Sequence, residues 1–569
     1  MKKINRSIIK LTATVLTLTA MVSCDDFLTI TPTNEIVLDN YWKEKADVES
    51  MVASCYTRMT KSDMVSRYVV WGELRSDNMN LYSGYTNTDL GYINSADLLA
   101  NNSYCDWSSF YETINYCNIV LKHAPAVMES DPNFTEGDLQ PIQAEMLTLR
   151  ALCHFYLLRT FRDIPYMTKA VESDEEVEDV AQVNPDTVLS NIIVDLNKAK
   201  SMAMASDGYS TDVWNRGRIT KDAVNSLLAD VLLWRASMNN NAIDYQSCVD
   251  ACNAVINSKI QEEKDKLLKE GKTTTGDGTS QTSKYPLIED DADAATGLEE
   301  SKAYTEIFGE GNSSESIFEL QFDGSSNVNS TISDWYGNAT TKNTADLQAS
   351  ALFSMGNDQK LFLSTADTRR LNCIVAPTSD VNVVELPIRK YACTNGYLKT
   401  NSSGSYRSSS TYNSNWIFYR LTDVMLMQAE AYVQLAADSA SGEESHLRNA
   451  FSLVSAIYNR SNPEIKDSLV YSKYSTKTAM QRLVLDERQR ELCFEGKRWF
   501  DLVRYALRGN HDAMLTMLVR KYSTGANAIK AKIPSEDYYY FPIYENELKV
   551  NPNLVQNPVY VTNSSTAKK

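Results

Sequence analysis

Histidine is scarce in this sequence, with four residues among 569. His123, His154, His446 and His511 lie far apart, and none belongs to an HExxH motif or to a close pair that could bind a metal ion. The sequence also lacks a GxSxG motif, the nucleophile elbow of many hydrolases. These absences exclude the commonest signatures of metal-dependent and serine hydrolases, and we interpret His154 as a core residue of a predicted helix.

A dense disulfide framework is missing as well. Nine cysteines follow Cys24, an odd number, and no two of them form a CxxC motif. Cys248 and Cys252 are four residues apart in a predicted helix, which favours packed thiols over a bridge. The sequence therefore does not predict any particular cysteine pair.

Positive charge is in deficit. Lys and Arg number 56 against 73 Asp and Glu, which gives a formal net charge of −17. Removal of residues 1–23, which carry four positive and no negative charges, would shift that charge to −21. Because neutralising phosphates requires clustered Lys and Arg, this acidic balance argues against nucleic acid or anionic lipid as a binding partner.

Long apolar runs are absent after the N-terminus, where no stretch approaches the ~20 residues of a membrane helix. The N-terminus itself has four basic residues within its first ten, followed by the apolar segment "LTATVLTLTAMVS". This order predicts a signal peptide over residues 1–23. The small residue before Cys24 in "MVSC" is typical of bacterial lipoproteins, so we expect the Cys24 thiol to carry lipid and to anchor the chain. A simply secreted protein is the alternative.

Most of the chain has the apolar periodicity of helices, interrupted by polar stretches. "PIQAEMLTLRALCHFYLLRTF" and "RITKDAVNSLLADVLLWRA" are two such helices, and Thr220 is a predicted N-cap of the second. Paired helices of this length suggest helical-repeat packing, although no clean 34-residue consensus is present. We divide the chain into the signal peptide 1–23, an N-terminal region 24–260, a polar insertion 261–300 and a C-terminal region 301–569, the last three forming one intertwined globular unit.

Three glutamates recur every four residues in "LDERQRELCFEGKRWFDLVRYA", which spans 485–506. Glu487, Glu491 and Glu495 fall on an arginine-rich side of the predicted helix, away from its apolar side. A glycosidase needs one protonated and one ionised carboxyl across a cleft, and this arrangement differs from that. We therefore interpret the three acids as a structural brace. Gly496 falls on the apolar side, where it could admit another backbone.

Two polar segments, 78–95 and 324–343, combine asparagine with aromatic residues. Sugar rings present apolar C–H faces and hydroxyl edges, and aromatic side chains beside amides and carboxylates complement both. The alternative for each aromatic residue is ordinary loop packing. The candidate ligand-binding residues are Asn80, Tyr82, Tyr85, Tyr92, Trp335 and Tyr336.

The acidic segment "EDDADAATG" (289–297) has enough carboxylates to bind a structural calcium ion weakly. It departs from the EF-hand pattern at the glycine and at the final glutamate, so a solvated acidic loop is the favoured interpretation. We expect no cofactor and no metal site.

Several segments together resemble the SusD/RagB family of Bacteroidetes outer-membrane lipoproteins over nearly the whole chain. In order, they are "SCDDFL", "AEMLTLRALCHFYLLRTFRDIPY", "GRITKDAVNSLLADVLLW", "YRLTDVMLMQAEAY", "ERQRELCFEGKRWFDLVR" and "FPIYENELKVNPNLVQNP". Three positions depart from the family pattern: Arg162 and Val559 replace usual glycines, and Tyr544 replaces a common proline. These departures concern turn geometry.

The resemblance implies a mainly α fold, in which a tetratricopeptide-like helical-repeat scaffold supports a loop-rich ligand-binding half. It also implies a non-enzymatic glycan-binding lipoprotein on the cell surface that delivers oligosaccharide to a TonB-dependent barrel of the SusC type. Asp25 and Asp26 look like the surface-export signal of such lipoproteins. A peptide-binding lid is the main alternative and a surface glycoside hydrolase is a further one, while the particular ligand is left open.

Overall fold

The computed structural model describes residues 41–271, 284–341, 343–354, 361–362, 364–374, 386–400, 405–439 and 444–561. The predicted signal peptide 1–23 and the predicted lipidation site Cys24 lie outside these residues. So does the middle of the polar insertion, residues 272–283.

Helices dominate the described chain, as expected for a mainly α fold. The α-helices are α1 (Lys45–Met59), α2 (Ser62–Val69), α3 (Thr88–Asn94), α4 (Ser108–Ser130), α5 (Glu136–Phe161), α6 (Pro185–Met202), α7 (Asp212–Gly217), α8 (Lys221–Asn239), α9 (Ala242–Lys269), α10 (Lys302–Tyr304), α11 (Ser330–Tyr336), α12 (Arg369–Cys373), α13 (Leu421–Leu435), α14 (Ser445–Ser461), α15 (Lys477–Leu492), α16 (Arg498–Tyr505), α17 (His511–Leu518), α18 (Ala526–Ala531) and α19 (Glu545–Val550). Strands are few and short: β1 (Met79–Leu81), β2 (Ser316–Leu320), β3 (Leu347–Ala349), β4 (Leu386–Pro387) and β5 (Trp416–Arg420).

The long helices pack side by side in a continuous array. Helix α1 packs on α4, α4 on α5, α5 on α6, α6 on α8, α8 on α9, and α9 on α13, which also contacts α14 and α15. Each helix buries an apolar stripe against its neighbours, which is how helical-repeat proteins build a core. The array is the scaffold that the sequence predicted.

Capping residues define where these helices begin. The Thr220 side chain accepts a hydrogen bond from the Ala223 backbone at the start of α8, so the predicted N-cap is confirmed. Helix α6 begins with Pro185 and is capped by Asn184, whose side chain accepts from the Thr187 backbone.

Two small antiparallel sheets pair segments that lie far apart in the sequence. In one sheet β3 lies between β1 and β4, with Asn80 opposite Gln348. In the other sheet β2 pairs with β5, and Leu320 lies opposite Trp416. The first sheet therefore connects the N-terminal third of the chain to its C-terminal half, and the second joins two segments within that half.

The predicted helix over 485–506 is broken in the structure. Helix α15 ends at Leu492 and α16 begins at Arg498, and the turn between them contains Phe494 and Gly496 with φ angles of 67° and 70°. A continuous helix cannot contain these left-handed residues. The close approach predicted for Gly496 is confirmed, because a Cβ there would lie 2.8 Å from the backbone oxygen of Tyr68.

Glu73 ties this turn to the N-terminal part of the chain. Its fully buried carboxylate accepts hydrogen bonds from the backbone nitrogens of Phe494 at 2.9 Å and Lys497 at 3.1 Å. The Asn78 side chain donates to the same carboxylate at 2.7 Å. Burial raises the pKa of Glu73 to about 7 despite these donors.

Arg162 occupies a backbone conformation that suits glycine. It follows the end of α5 with φ 68° and ψ −75°. The departure from the family glycine therefore falls where the turn does require a positive φ. The Arg162 guanidinium pairs with Asp163 at 2.7 Å and with Asp537 at 2.6 Å, which offsets part of the backbone strain.

Candidate functional site

The ladder between β1 and β3 brings the two aromatic segments together. After the last paired residue of β1, the Tyr82 backbone nitrogen donates to the carbonyl oxygen of Asp346 at 2.9 Å. The Asp346 backbone nitrogen in turn lies 3.4 Å from the carbonyl oxygen of Asp334 in α11. Segments that are about 250 residues apart in the sequence thus meet at one place.

Three predicted tyrosines lie at this junction. Tyr82 is half-buried, while Tyr85 and Tyr92 keep 38% and 46% of their surface exposed. A turn from Tyr82 to Tyr85 folds the loop back, and the Tyr85 ring lies against Gly91, where a Cβ would come within 2.7 Å of the hydroxyl. The expected exposure of aromatic side chains in this loop is therefore found for Tyr85 and Tyr92.

Asn87 fixes the loop that carries these rings. Its side-chain oxygen accepts from the backbones of Asp89 and Leu90 and so caps α3, on which Tyr92 lies. Its amide lies 3.4 Å from the Tyr104 hydroxyl. The aromatic loop is thus held by a helix cap and not by a continuous strand.

Trp335 lies beside this loop but is largely buried. Only 8% of its surface is exposed, and its ring centroid is 6.2 Å from that of Tyr104. The prediction of an exposed stacking surface at Trp335 is wrong, because the polar segment around it folds into α11. Trp335 lines the base of the junction and supports Tyr104.

Tyr336 belongs to the core. It has no exposed surface, and its hydroxyl donates to the carbonyl oxygen of Phe494 at 2.9 Å. Its ring packs near those of Tyr391 and Phe494. The expectation that Tyr336 is available to a ligand is therefore wrong, since both its ring and its hydroxyl have intramolecular partners.

Asn80 braces the backbone at the same junction. Its amide donates to the carbonyl oxygen of Lys521 at 3.2 Å. The Lys521 ammonium donates to the side chain of Asn94 and to the carbonyls of Leu74 and Met79, at 3.0 to 3.1 Å. Burial lowers the pKa of Lys521 to about 7. Asn80 and Lys521 therefore position β1 and the end of α3.

Two acidic residues lie in the segment that this ladder joins to the tyrosine loop: Asp346, whose carbonyl oxygen accepts from Tyr82, and Asp334 in α11. Partial desolvation and then the charge of Asp346 raise the pKa of Asp334, and desolvation raises the pKa of Asp346. Carboxylates and tyrosine faces together can accept hydrogen bonds from sugar hydroxyls and stack on sugar rings. Nothing in the local sequence signals that these acids meet, because the β1–β3 ladder creates their proximity.

Glu487, Glu491 and Glu495, the three glutamates of the 485–506 segment, are buried and form ion pairs with arginines. Arg369 bonds Glu487 at 2.7 Å and Glu491 at 2.9 Å, and Arg420 bonds Glu491 at 2.6 Å and Glu495 at 2.8 Å. Burial alone would raise the pKa of Glu491, but the surrounding arginines outweigh it and lower that pKa well below its usual range. The predicted brace is confirmed, although the acids are far more deeply buried than a surface face of a helix would be.

His154 also agrees with its structural interpretation. Its ring nitrogens lie 3.0 Å from the Arg150 carbonyl oxygen and 3.1 Å from the Met167 backbone nitrogen. Burial, followed by the charge of Arg150, lowers the pKa of His154 to about 3. The imidazole is therefore neutral and fully engaged.

Among the described residues, no cluster of three or more His, Cys, Asp or Glu side chains is placed to hold a metal ion. In the acidic segment 289–297, the Asp290 carboxylate instead accepts from the Ser301 hydroxyl and the Ala303 backbone, at 2.9 to 3.0 Å. None of the helices in the described residues combines the length and the apolar composition that a membrane span requires.

Family profiles and similar curated proteins both relate this chain to SusD proteins. A sequence profile of the SusD family matches residues 368–560, and a second profile, described as starch-binding associating with outer membrane, matches residues 26–233. SusD-like protein P38 of Formosa agariphila is 24% identical over 571 residues, covering 96% of this chain and 97% of that protein. SusD-like protein P2 of the same organism is 24% identical over 563 residues, with 96% and 98% coverage.

Solved structures share the fold. A SusD superfamily protein from Bacteroides thetaiotaomicron aligns with a TM-score of 0.61 and 19% identity over 91% of this chain and 99% of the other. B. fragilis NanU aligns with a TM-score of 0.62 and 18% identity, over 94% and 100%. The fold is therefore the tetratricopeptide-like helical fold of the SusD superfamily. The two SusD-type profiles together match residues 26–233 and 368–560, more than half of the chain, so the chain belongs to the SusD/RagB family.

Proposed function

We propose that this protein captures a polysaccharide or oligosaccharide at the outer membrane and delivers it to a partner TonB-dependent barrel of the SusC type. The observation that carries the proposal is the junction where the pairing of β1 with β3 joins the loop of Tyr82, Tyr85 and Tyr92 to the segment that contains Asp334 and Asp346. The exposed tyrosine faces suit the apolar faces of sugar rings, and the acids suit their hydroxyls. The family description, with its starch-binding and outer-membrane association, supports the same ligand class.

We propose that the protein binds glycan and does not hydrolyse it. A retaining or inverting glycosidase needs two accessible carboxyls with opposed protonation states. Glu487, Glu491 and Glu495 are buried and bonded to arginines, so they have no access to a substrate. Asp334 and Asp346 both have raised pKa values, whereas an acid–nucleophile pair needs one raised and one ordinary value.

The anchoring proposal rests on Cys24. The signal-like residues 1–23 and the small residue before Cys24 support lipidation of its thiol, with the chain held at the membrane by acyl chains. Labelling cells with radioactive palmitate and isolating the protein tests this directly. Label in the natural protein and none in Cys24→Ala is the expected result, and equal label in both would refute the anchor.

Affinity electrophoresis tests the ligand class. The chain without residues 1–24 is run through native gels that each contain one polysaccharide, such as amylopectin, laminarin, xylan or galactomannan, beside a protein that binds none of them. Retardation by one or two of these neutral glycans is the expected result. If no glycan retards the protein and defined peptides bind it in solution, the peptide-binding alternative replaces this proposal. Release of reducing sugar from a retarding glycan would instead support the hydrolase.

A further inference from the structure

A cavity of about 430 Å³ opens between α1, α7 and the segment that follows β2. Its volume lies within the range of about 300–1,000 Å³ that is typical of small-ligand sites. It shares no lining residue with the junction of Tyr82, Tyr85 and Tyr92. The residues of its wall that matter here are Val52, Val213, Trp214, Leu320, Gln321 and Asn327.

Trp214 gives this cavity an aromatic wall. All eight tryptophans of the chain lie in its described part, and Trp214 alone among them is exposed, with 50% of its surface open to solvent. Its backbone is fixed at the start of α7, where its nitrogen donates to the Thr211 hydroxyl at 3.2 Å. Large exposed apolar side chains in a concave surface mark binding sites more often than scattered ones do.

The Arg218 guanidinium packs against the Trp214 indole and is itself held by an ion pair. The Arg218 guanidinium lies 5.3 Å from the ring centroid of Trp214 and 4.8 Å from that of Tyr209. Arg218 is itself held by Glu145, with 2.9 Å between Nε and the carboxylate. The Glu145 side chain has no exposed surface, so this pair is fixed from inside the protein. The indole therefore has a defined orientation before any ligand arrives.

Asn327 gives the cavity a polar wall, and its side chain is held in place. The Thr60 hydroxyl lies 3.3 Å from the Asn327 side-chain oxygen, and the Asn327 amide donates to the Gln321 carbonyl at 3.0 Å. The Asp323 carboxylate accepts from the Asn327 backbone at 2.9 Å and so shapes the loop. Such preorganised groups reduce the entropy that a ligand loses when it binds.

The combination of walls selects the ligand. An acyl chain or an apolar side chain would cover the Asn327 amide, which has a second N–H beyond its bond to the Gln321 carbonyl, without offering it an acceptor, and burying such a group unpaired is costly. An anionic ligand finds little free positive charge, because the charge of Arg218 is already neutralised by Glu145. A neutral sugar ring matches both walls, since its C–H face can stack on Trp214 while a hydroxyl accepts from the Asn327 amide.

We propose that this cavity is a second binding site for neutral sugar, taking about one or two rings of the same glycan. The proposal rests on the proposed function in that its ligand is a glycan. The segment that lines the cavity continues directly into α11, which carries Trp335 at the first site. Two sites on one polymer increase avidity without any stronger individual contact, because the second binding event becomes intramolecular.

Acrylamide quenching of tryptophan fluorescence tests the second site, because Trp214 provides the exposed indole. The probes are maltoheptaose, laminarihexaose, xylohexaose and mannohexaose, each titrated into the protein. At least one oligosaccharide should reduce the quenching constant by about twofold in the natural protein and in the Tyr85→Ala, Tyr92→Ala double variant. In Trp214→Phe the largest part of the quenchable fluorescence should be lost, and the half-buried Trp42 accounts for the remainder.

Native gels supply the second measurement and separate the two proposals. Trp214→Ala should weaken retardation about fivefold with the polysaccharide that retards the natural protein, while the exposed control Val194→Ser should not change it. The second site would be overturned if Trp214→Ala were retarded normally and if no oligosaccharide protected Trp214 of the natural protein from quenching. The proposed function would then remain intact. No binding of any glycan would overturn both, and protection by an apolar tetrapeptide in place of the sugars would reassign the cavity to peptide.

Discussion

The backbones of Gly72 and Gly496 are in direct contact across 424 positions of sequence, so that a Cβ added to Gly72 would lie 2.0 Å from the Gly496 carbonyl oxygen. Both partners in this contact are main chain, so no side-chain rotation can relieve it. The contact joins the π-helical turn Val70–Leu74 to the turn between α15 and α16. It explains why glycine occupies position 72, whereas Gly496 is required by its positive φ and by the Tyr68 carbonyl oxygen beside it.

Gly72→Ala is therefore expected to destabilise the protein severely. Overpacking in a core costs about 1–3 kcal/mol, and a clash of backbone on Cβ should reach or exceed the upper value. Urea unfolding followed by circular dichroism measures the change. The matched control is Gly137→Ala near the start of α5, where the nearest atom to the new Cβ is 3.6 Å away. That variant should be neutral or slightly more stable, and equal losses in both would contradict the contact.

Glu491→Ala is expected to lower stability without changing glycan affinity. The carboxylate is shared by Arg369, Arg420 and Arg460, so its loss leaves buried guanidinium groups without their partner. Breaking a buried ion pair typically costs about 3–5 kcal/mol. Thermal unfolding and the gel assay together check the prediction. The exposed control Glu175→Ala should change neither, and a loss of binding by folded Glu491→Ala would show that the cluster takes part in ligand recognition.

Tyr85→Ala and Tyr92→Ala are expected to weaken glycan binding and to leave the fold intact. Each removes an exposed aromatic face, which should reduce the binding free energy by about 1 kcal/mol. Isothermal titration with the oligosaccharide identified by the gels measures the loss.

Tyr336→Phe provides the matched control for these two variants. It removes only the buried hydroxyl that donates to Phe494, so stability should fall by about 1 kcal/mol while affinity stays the same. If Tyr336→Phe weakened binding as much as Tyr85→Ala does, the assignment of the exposed tyrosines would fail.

Acid should destabilise the protein partly through Asp77. Burial alone would raise the pKa of Asp77, but Arg498 and then Arg520 hold it at about 2, below the usual 3.8. Because the folded-state pKa is depressed, this stabilisation is present above about pH 4 and is lost as the pH falls towards 2. The loss amounts to about 2 kcal/mol.

Unfolding in urea at a series of pH values between 5 and 2 measures this contribution. Asp77→Asn should be less stable at neutral pH, and its stability should decline less steeply on acidification. An unchanged pH dependence in this variant would show that other carboxylates account for the acid sensitivity.

The periodic parts of the fold could be predicted from the sequence because apolar residues recur at helical spacing over long stretches. Helices α5 and α8 are examples, and Thr220 at the start of α8 was predictable as a cap. The break in the helix after Leu492 was not predictable from the sequence, although Gly496 indicated a close backbone approach. Phe494 takes a positive φ there because its backbone nitrogen binds Glu73, a partner more than 400 residues away.

The candidate site was predictable only in part. A polar segment rich in tyrosine identified the loop that carries Tyr85 and Tyr92. The same kind of composition misplaced Trp335 and Tyr336, because the segment around them folds into a short helix packed against the core. Asp334, Asp346 and Tyr104 were missed since only the pairing of β1 with β3 brings their segments together. Trp214 does have a local signal, because it is an aromatic residue in a polar stretch of the sequence.

The hydrogen bonds of Glu73 also determine when the core can be completed. Its nearest backbone donor in the C-terminal turn is 421 residues downstream, so a chain that is synthesised from its N-terminus must hold this segment open until the turn emerges. Until then the carboxylate lacks the donors that make its burial tolerable. The last helices of the chain therefore set the moment at which this part of the core can close, and chaperones that bind the incomplete chain should be needed until then.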